Sequence, residues 1–159
     1  MNDINDGKKE EIETIQIVTF KVMDEHYGID VSSVHEIIGM TEITAIPNRL
    51  CFMIGVINLR GVVVPVIDLR VKFNFPKKEY DRQTVILVSE INENIIGMVV
   101  DSVSDVTSIT EDNIQVQKSF SPSIKNDYIQ GIIRINEKLI ILLEIDKILS
   151  EEEIEHINA

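Results

Sequence analysis

The chain has 159 residues, yet it holds one cysteine, no tryptophan, four prolines and seven glycines, and only 5% aromatic residues. A lone Cys51 excludes an internal disulfide framework and any CxxC metal signature. Standing among Leu50, Phe52 and Met53, Cys51 is expected to be a small buried hydrophobe. Scarce glycine removes the loops that cradle nucleotide phosphates, and neither the P-loop pattern nor GxGxxG occurs. No apolar stretch approaches the roughly 18–20 residues that cross a bilayer. The polar, acidic start MNDINDGKKEE is also unlike a signal peptide, which needs a basic start and an apolar run. A cytoplasmic location is expected.

Positive charge is scarce too, with 15 Lys and Arg against 27 Asp and Glu and a net charge of −12. Such a balance repels phosphate backbones and anionic lipid, so nucleic-acid binding and direct membrane insertion are not expected. The charge is unevenly placed. Residues 1–13 carry five acids and two lysines, and residues 144–159 carry six acids and one lysine, which leaves only −4 for 14–143. Between Arg60 and Arg82 six bases outnumber three acids, so the middle of the chain has room for surfaces of either sign.

What the chain has in abundance is Ile and Val, 46 residues against 10 for Ala and Leu together. β-Branched side chains pack well on pleated surfaces and lose freedom in helices, so a mainly β protein is expected. Residues 1–13 are expected to be a disordered acidic arm. Strands are predicted over 14–23, 27–31, 55–60, 62–69, 83–90, 95–101, 128–135 and 138–145, with weaker ones over 103–109 and 114–117. Turns fall at residues 24–26, at Gly61, at 92–94 and at 136–137. One or two helical turns are predicted over 32–38, and polar loops over 73–82 and 118–127. The tail from Asp146 is expected to be helical, because Ser150 and Glu153 fit a capping box and Ile154 and Ile157 supply an apolar stripe.

A duplication underlies this inventory. Gly28–Ile37 lies over Gly97–Val106 with four of ten positions identical, and the strand from Thr14 lies over the one from Thr84. The segment from Gly55 and its following Val-rich strand lie over the segment from Gly131 and its Ile-rich strand. Two related β units are expected, approximately 14–81 and 82–145, within a domain of 14–150 closed by a helix over 146–159. Each unit is too small for a comfortable core of its own, so the two are expected to share one.

Catalytic machinery is thin. The three histidines, His26, His35 and His156, show no metal-ligand spacing, no GxSxG elbow is present, and Asp101 and Asp105 are expected to be solvated rather than a catalytic pair. No enzyme, metal or cofactor is expected. A small-molecule sensor using a cleft between the units needs convergent polar groups, and no obvious set stands out. Attention falls instead on the contrast between the copies at one hairpin. The first copy reads Asn58-Leu-Arg60-Gly61 where the second reads Arg134-Ile-Asn136-Glu137. An Arg beside a Gly turn is suited to presenting a planar cation to a partner, or to bonding its own loop carbonyls or Asp68. The residues alone leave both readings open.

The runs Tyr27–Ile37, Ile46-Pro47-Asn48 and Phe52–Arg70, the last containing Gly-x-x-Asn-Leu-Arg-Gly and then Pro-Val-Ile-Asp-Leu, resemble the CheW family of chemotaxis coupling proteins. The resemblance spans roughly residues 14–155. It implies two intertwined five-stranded, SH3-like barrels around a shared core, with a short C-terminal helix. It further implies a non-enzymatic adaptor that links the cytoplasmic tips of chemoreceptors to the regulatory domain of a CheA-type histidine kinase. The family's receptor tip lies in a groove between the subdomains. Carried over by position, the receptor-contact candidates are Val31, Val34, Glu36 and Arg60, with Val85 and Val103 on a second wall and Gly55 and Gly61 preserving the backbone. For the four valines, plain core packing is the competing reading. No residues are assigned to the kinase surface. The same module would also serve a chemosensory pathway controlling pili or gene expression.

Overall fold

The computed structural model describes residues 13–47, 50–115 and 126–158. The expected arm lies outside them apart from Glu13, as do Val116, Gln117 and most of the loop expected from Lys118. The described residues form ten strands: β1 (Thr14–Val22), β2 (Glu25–Asp30), β3 (Val34–Gly39), β4 (Met53–Leu59), β5 (Val62–Asp68), β6 (Val85–Ile91), β7 (Asn94–Val100), β8 (Ser102–Thr110), β9 (Ile129–Ile135) and β10 (Lys138–Leu143). Two short α-helices accompany them among the described residues, α1 (Leu69–Lys72) and α2 (Glu151–Asn158).

Four two-residue turns join consecutive strands, and in each both central residues take positive φ. They are Met23-Asp24, Arg60-Gly61, Asn92-Glu93 and Asn136-Glu137, with φ between 48° and 87°. This is the type I′ geometry whose twist matches that of paired strands.

The strands make two five-stranded sheets, in the orders β8-β1-β2-β10-β9 and β3-β6-β7-β5-β4. The repeat reads as β1–β5 followed by β6–β10, so each sheet takes the first hairpin of one copy and the last three strands of the other. The division at residues 81 and 82 therefore separates the copies of the repeat but not the sheets. The exchange is reciprocal down to the register. Gly28 of β2 sits opposite Leu142 of β10 in a parallel pair, and its equivalent Gly97 of β7 sits opposite Val66 of β5. Short bridges tie Thr44 to Val56 of β4 and Gln115 to Ile132 of β9, bringing the chain beyond each edge strand against the opposite edge. Each sheet is thereby curled into an SH3-like barrel.

The core divides to match. Ile57, Val64, Val66, Ile86, Val88 and Val99 fill one barrel, and Ile17, Ile109, Ile133, Ile140 and Leu142 fill the other. Between the barrels lies a larger cluster that includes Phe20, Tyr27, Phe73, Leu87, Met98 and Tyr128. Alternate residues of one strand serve different cores: Ile86 points into its barrel while Leu87 joins the shared cluster. Strands covered on both faces need near-continuous apolar runs, which accounts for the Ile and Val content. Rings pack through the shared cluster, Tyr27 tilted against Phe73 at 5.4 Å and Phe73 stacked on Tyr128 at 5.7 Å between centroids.

Three local expectations are corrected. Residues 32–38 are not helical: a 3₁₀ turn covers Val31–Ser33, capped by the Asp30 carboxylate accepting from the Ser32 N–H at 2.9 Å, and β3 follows. The β-branched Val34, Ile37 and Ile38 are better accommodated on the open edge of β6. The C-terminal helix starts at Glu151 rather than Asp146, because Ser150 caps it; Ser150 and Glu153 exchange the expected pair of bonds at 2.9 and 3.1 Å. Cys51 is exposed, since it occupies a turn whose inward position goes to its neighbour Phe52.

Candidate functional site

Glu36 sits on β3, an edge strand, opposite Val88 and just after a bulge. Arg60 sits at the tip of the hairpin between β4 and β5, and β4 is the other edge of the same sheet. Barrel closure brings the two together. Both terminal nitrogens of Arg60 donate to the Glu36 carboxylate, Nη2 to Oε1 and Nη1 to Oε2 at 3.3 Å. The hydrogen bond from Arg60 holds the Glu36 carboxyl below the ordinary carboxylate range, and the same bond pushes the guanidinium up. The Arg60 side chain remains 71% exposed, so its guanidinium is oriented by Glu36 and still presented to solvent. Among the described residues Arg60 bonds neither Asp68, whose carboxylate instead accepts from Tyr80 Oη and the Arg70 N–H, nor any carbonyl of its own turn.

The turn itself has the same type I′ shape as the other hairpins. Arg60 has φ 52° and Gly61 φ 87°, and Asn58 Oδ1 accepts from the Gly61 N–H at 2.8 Å. A side chain at Gly61 meets no atom within 4 Å, so glycine is favoured there by conformation rather than by space. Gly55 is constrained by both: φ is 150°, and an added Cβ falls 2.3 Å from the carbonyl oxygen of Thr44. That approach is the bridge between Thr44 and Val56, with bonds of 2.8 and 2.9 Å.

Val31, Val34, Val85 and Val103 are all partly buried, and all pack against the shared cluster between the barrels. Val31 belongs to the 3₁₀ turn, and Val34 begins β3 opposite Ser89. Val85 begins β6 at the far end of the same ladder, opposite Gly39. Val103 lies in the other sheet, on β8 opposite Phe20. The four valines thus pack against one shared cluster from both sheets, whereas Glu36 and Arg60 form a separate ion pair across the edges of one sheet.

Two features depart from the sequence reading: Asp101, expected to be solvated, is instead largely buried in an ion pair with Arg70, and Lys72 pairs with Glu153 without a sequence signal. Asp101 accepts from Arg70 Nε and Nη2 at 2.9 and 2.8 Å and from the Met23 N–H at 2.9 Å, while Arg70 Nη1 donates to the Pro76 carbonyl at 2.9 Å. Burial pushes the Asp101 carboxyl up, but the bonds from Arg70 and Met23 outweigh it and hold the group below its ordinary value. This knot pins the β1–β2 turn of one sheet to the end of β7 in the other. Lys72 Nζ donates to both oxygens of Glu153 at 3.1 Å and lies 4.7 Å from the centre of the Phe52 ring, fastening α2 to the body of the fold. Neither pair has a spacing or motif that marks it; each depends on which strands become neighbours. No cluster of three or more His, Cys, Asp or Glu able to hold a metal ion occurs among the described residues. No helix of the described residues is long and apolar enough to cross a membrane.

The family model for the CheW-like domain matches residues 16–153. The chain is 42% identical over 138 residues to "Chemotaxis protein CheW" of Klebsiella aerogenes, covering 87% of this chain and 83% of that protein. It is 32% identical over 142 residues to the protein of the same name in Bacillus subtilis, covering 86% and 88%. Among solved structures, the "scaffolding protein TtCheW from Thermoanaerobacter tengcongensis" superposes with a TM-score of 0.79 at 32% identity, over 89% of this chain and 91% of that one. With two interlocked barrels, the Asn58-Leu-Arg60-Gly61 turn and a family match over most of its length, the chain belongs to the CheW-like domain family.

Proposed function

We propose that the chain is a non-enzymatic chemotaxis adaptor that couples the cytoplasmic tips of chemoreceptors to the regulatory domain of a CheA-type histidine kinase. In this reading it works in the cytoplasm and is recruited to membrane-associated receptor arrays. The observation that carries the reading is the Arg60 guanidinium, oriented by Glu36 yet mostly exposed, on a fold whose relatives are named as chemotaxis and scaffolding proteins. Val31, Val34 and Glu36 supply one side of the receptor surface, Val85 and Val103 the second, and Gly55 and Gly61 hold the backbone beneath Arg60.

An adaptor transmits a signal only by making different contacts with two states of its partners. A rigid, doubly closed fold suits that task, because a displacement imposed at one barrel is carried to the other through the shared cluster. The test is co-sedimentation of the protein and the kinase with receptor-containing membranes. Arg60→Glu is expected to abolish the receptor-dependent pelleting while circular dichroism shows an intact fold. Normal coupling by a folded Arg60→Glu protein would remove Arg60 from the receptor surface.

A further inference from the structure

Met23 opens the β1–β2 turn as Asn92 opens the β6–β7 turn, its equivalent in the repeat. Both use the backbone alike. The Met23 N–H donates to Asp101 at 2.9 Å and the Asn92 N–H to Asp146 at 2.9 Å, each tying its hairpin to the other sheet. The side chains also reach matching places. Asn92 Nδ2 donates to the Asp146 carbonyl at 2.8 Å, and Met23 Sδ accepts from Nη1 of Arg70, the counterpart of Asp146, at 3.5 Å. A thioether, a weak acceptor, thus stands in the first copy where the second has an amide.

The turn itself does not call for methionine. The first central position of a type I′ turn favours Asn, Asp or Gly, and Met23 holds it at φ 56°. Met23 is also open to solvent at 37% exposure, whereas Met40 is half-buried and Met53 and Met98 are buried. Its sulfur borders a guanidinium that is fully engaged, with Nε and Nη2 donating to Asp101 and Nη1 to the Pro76 carbonyl at 2.9 Å.

We propose that Met23 is a reversible oxidation site, at which hydrogen peroxide converts the thioether to a sulfoxide whose oxygen takes Arg70 Nη1 from the Pro76 carbonyl. The sulfur lone pair attacks one peroxide oxygen, the O–O bond breaks and the other oxygen leaves as water. Sulfur is oxidised by two electrons and the peroxide is reduced by two. A sulfoxide oxygen is a far stronger acceptor than sulfur, and the Nη1 donor is already within reach. Nε and Nη2 keep Asp101, so the ion pair between the sheets survives while the chain at Pro76 loses its tie. The exposed Lys77, Lys78 and Arg82 follow, so oxidation changes how the basic stretch of an acidic chain is held. Methionine sulfoxide reductases, one for each epimer, return the thioether.

The inference does not depend on receptor coupling, and its test needs no receptor. The ¹⁵N-labelled protein is treated with hydrogen peroxide, digested and mapped by mass spectrometry. Oxidation at Met23 is expected to run roughly ten-fold faster than at Met40, with Met53 and Met98 slower still. In the undigested protein, the Arg70 Nε–H resonance and the amides of residues 23, 24, 77 and 101 are expected to move with oxidation and to return on treatment with both reductases. Met23→Gln, whose side-chain oxygen stands in for the sulfoxide, is expected to show the moved Arg70 and Lys77 resonances without peroxide. Met23→Leu is expected to lose the response. Equal oxidation at Met23 and Met40, an oxidised Met23 with Arg70 and Lys77 unmoved, or the same response in Met23→Leu would overturn the proposal. So would a sulfoxide that the reductases leave in place, or shifts spread through both barrels, which would make oxidation a route to unfolding.

Discussion

Glu36 and Arg60 are 24 residues apart and lie at opposite edges of one sheet, yet they meet in a two-pronged ion pair. The pair exists because the sheet is curled: the bridge from Thr44 to Val56 draws the chain beyond β3 against β4, and the hairpin tip follows. Arg60 does this from a left-handed backbone conformation that costs a non-glycine residue roughly 1 kcal/mol. The non-glycine residues of the other three hairpin turns adopt the same conformation, so this cost belongs to the turn type.

Reversing the pair separates presentation from bracing. Arg60→Glu alone and the double variant Glu36→Arg with Arg60→Glu are both expected to lose receptor-dependent co-sedimentation, because each removes the cation from position 60. Thermal unfolding of the double variant is expected to match the original chain, since an exposed pair contributes little. Restored coupling in the double variant would show that the pair acts only as a strut.

The glycines of the β4–β5 hairpin are expected to differ in their tolerance. Gly55→Ala drives a Cβ into the Thr44 carbonyl and should cost more than about 2 kcal/mol in urea unfolding. Gly61→Ala meets no neighbour and should cost about 1 kcal/mol, from conformation alone. Gly131→Ala should resemble Gly55→Ala, because its Cβ falls 2.5 Å from Ile114 Cγ2 and 2.9 Å from the Gln115 oxygen.

Asp101 predicts an acid limb in the stability curve. Its folded pKa lies below the unfolded value near 3.9. The unfolded chain therefore binds the proton first as pH falls, and the stability this group contributes is complete above about pH 5 and lost on descending through the folded pKa. Asp101→Asn is expected to be less stable than the original chain at pH 7, with the difference shrinking as the pH drops from about 5 towards 2. Arg70→Ala leaves a largely buried carboxylate unpaired and should cost about 2 kcal/mol or more at neutral pH. A pH-independent difference for Asp101→Asn would remove the carboxylate from the acid limb.

The C-terminal helix should open by itself when its anchors are removed. Ile157 is buried and Glu153 holds Lys72, so Ile157→Ala combined with Lys72→Ala is expected to raise amide exchange across 151–158. Exchange in β6 and β7, which lie at the middle of their sheet, should stay as it was. Uniformly faster exchange throughout would instead make α2 part of the global folding unit.

How much of this was legible in the chain depends on the range of the interaction. Strand hairpins show in alternation and in turn residues, so Asn92-Glu93 and Asn136-Glu137 were readable, and the Ser150 cap appeared as a local pattern. The repeat was readable because both copies spend the same residue types at the same places. Cys51 was misread because an apolar neighbourhood in sequence does not say which neighbour turns inward. Residues 32–38 were misread because three apolar residues at helical spacing also suit an edge strand, and the open edge of β6 is not visible locally.

By itself, then, the sequence determined a β-rich chain of two duplicated units with an Arg-Gly turn in only one copy, since composition, periodicity and internal similarity are all local quantities. The tertiary structure decided the partners. β1 and β6 carry nearly the same pattern, so nothing in either strand states that the β1–β2 hairpin must complete its sheet with β8, β9 and β10. That choice is settled by burying both faces of every central strand at once, in a barrel and in the shared cluster. The same choice placed Glu36 against Arg60 and left Asp105 facing an open cavity.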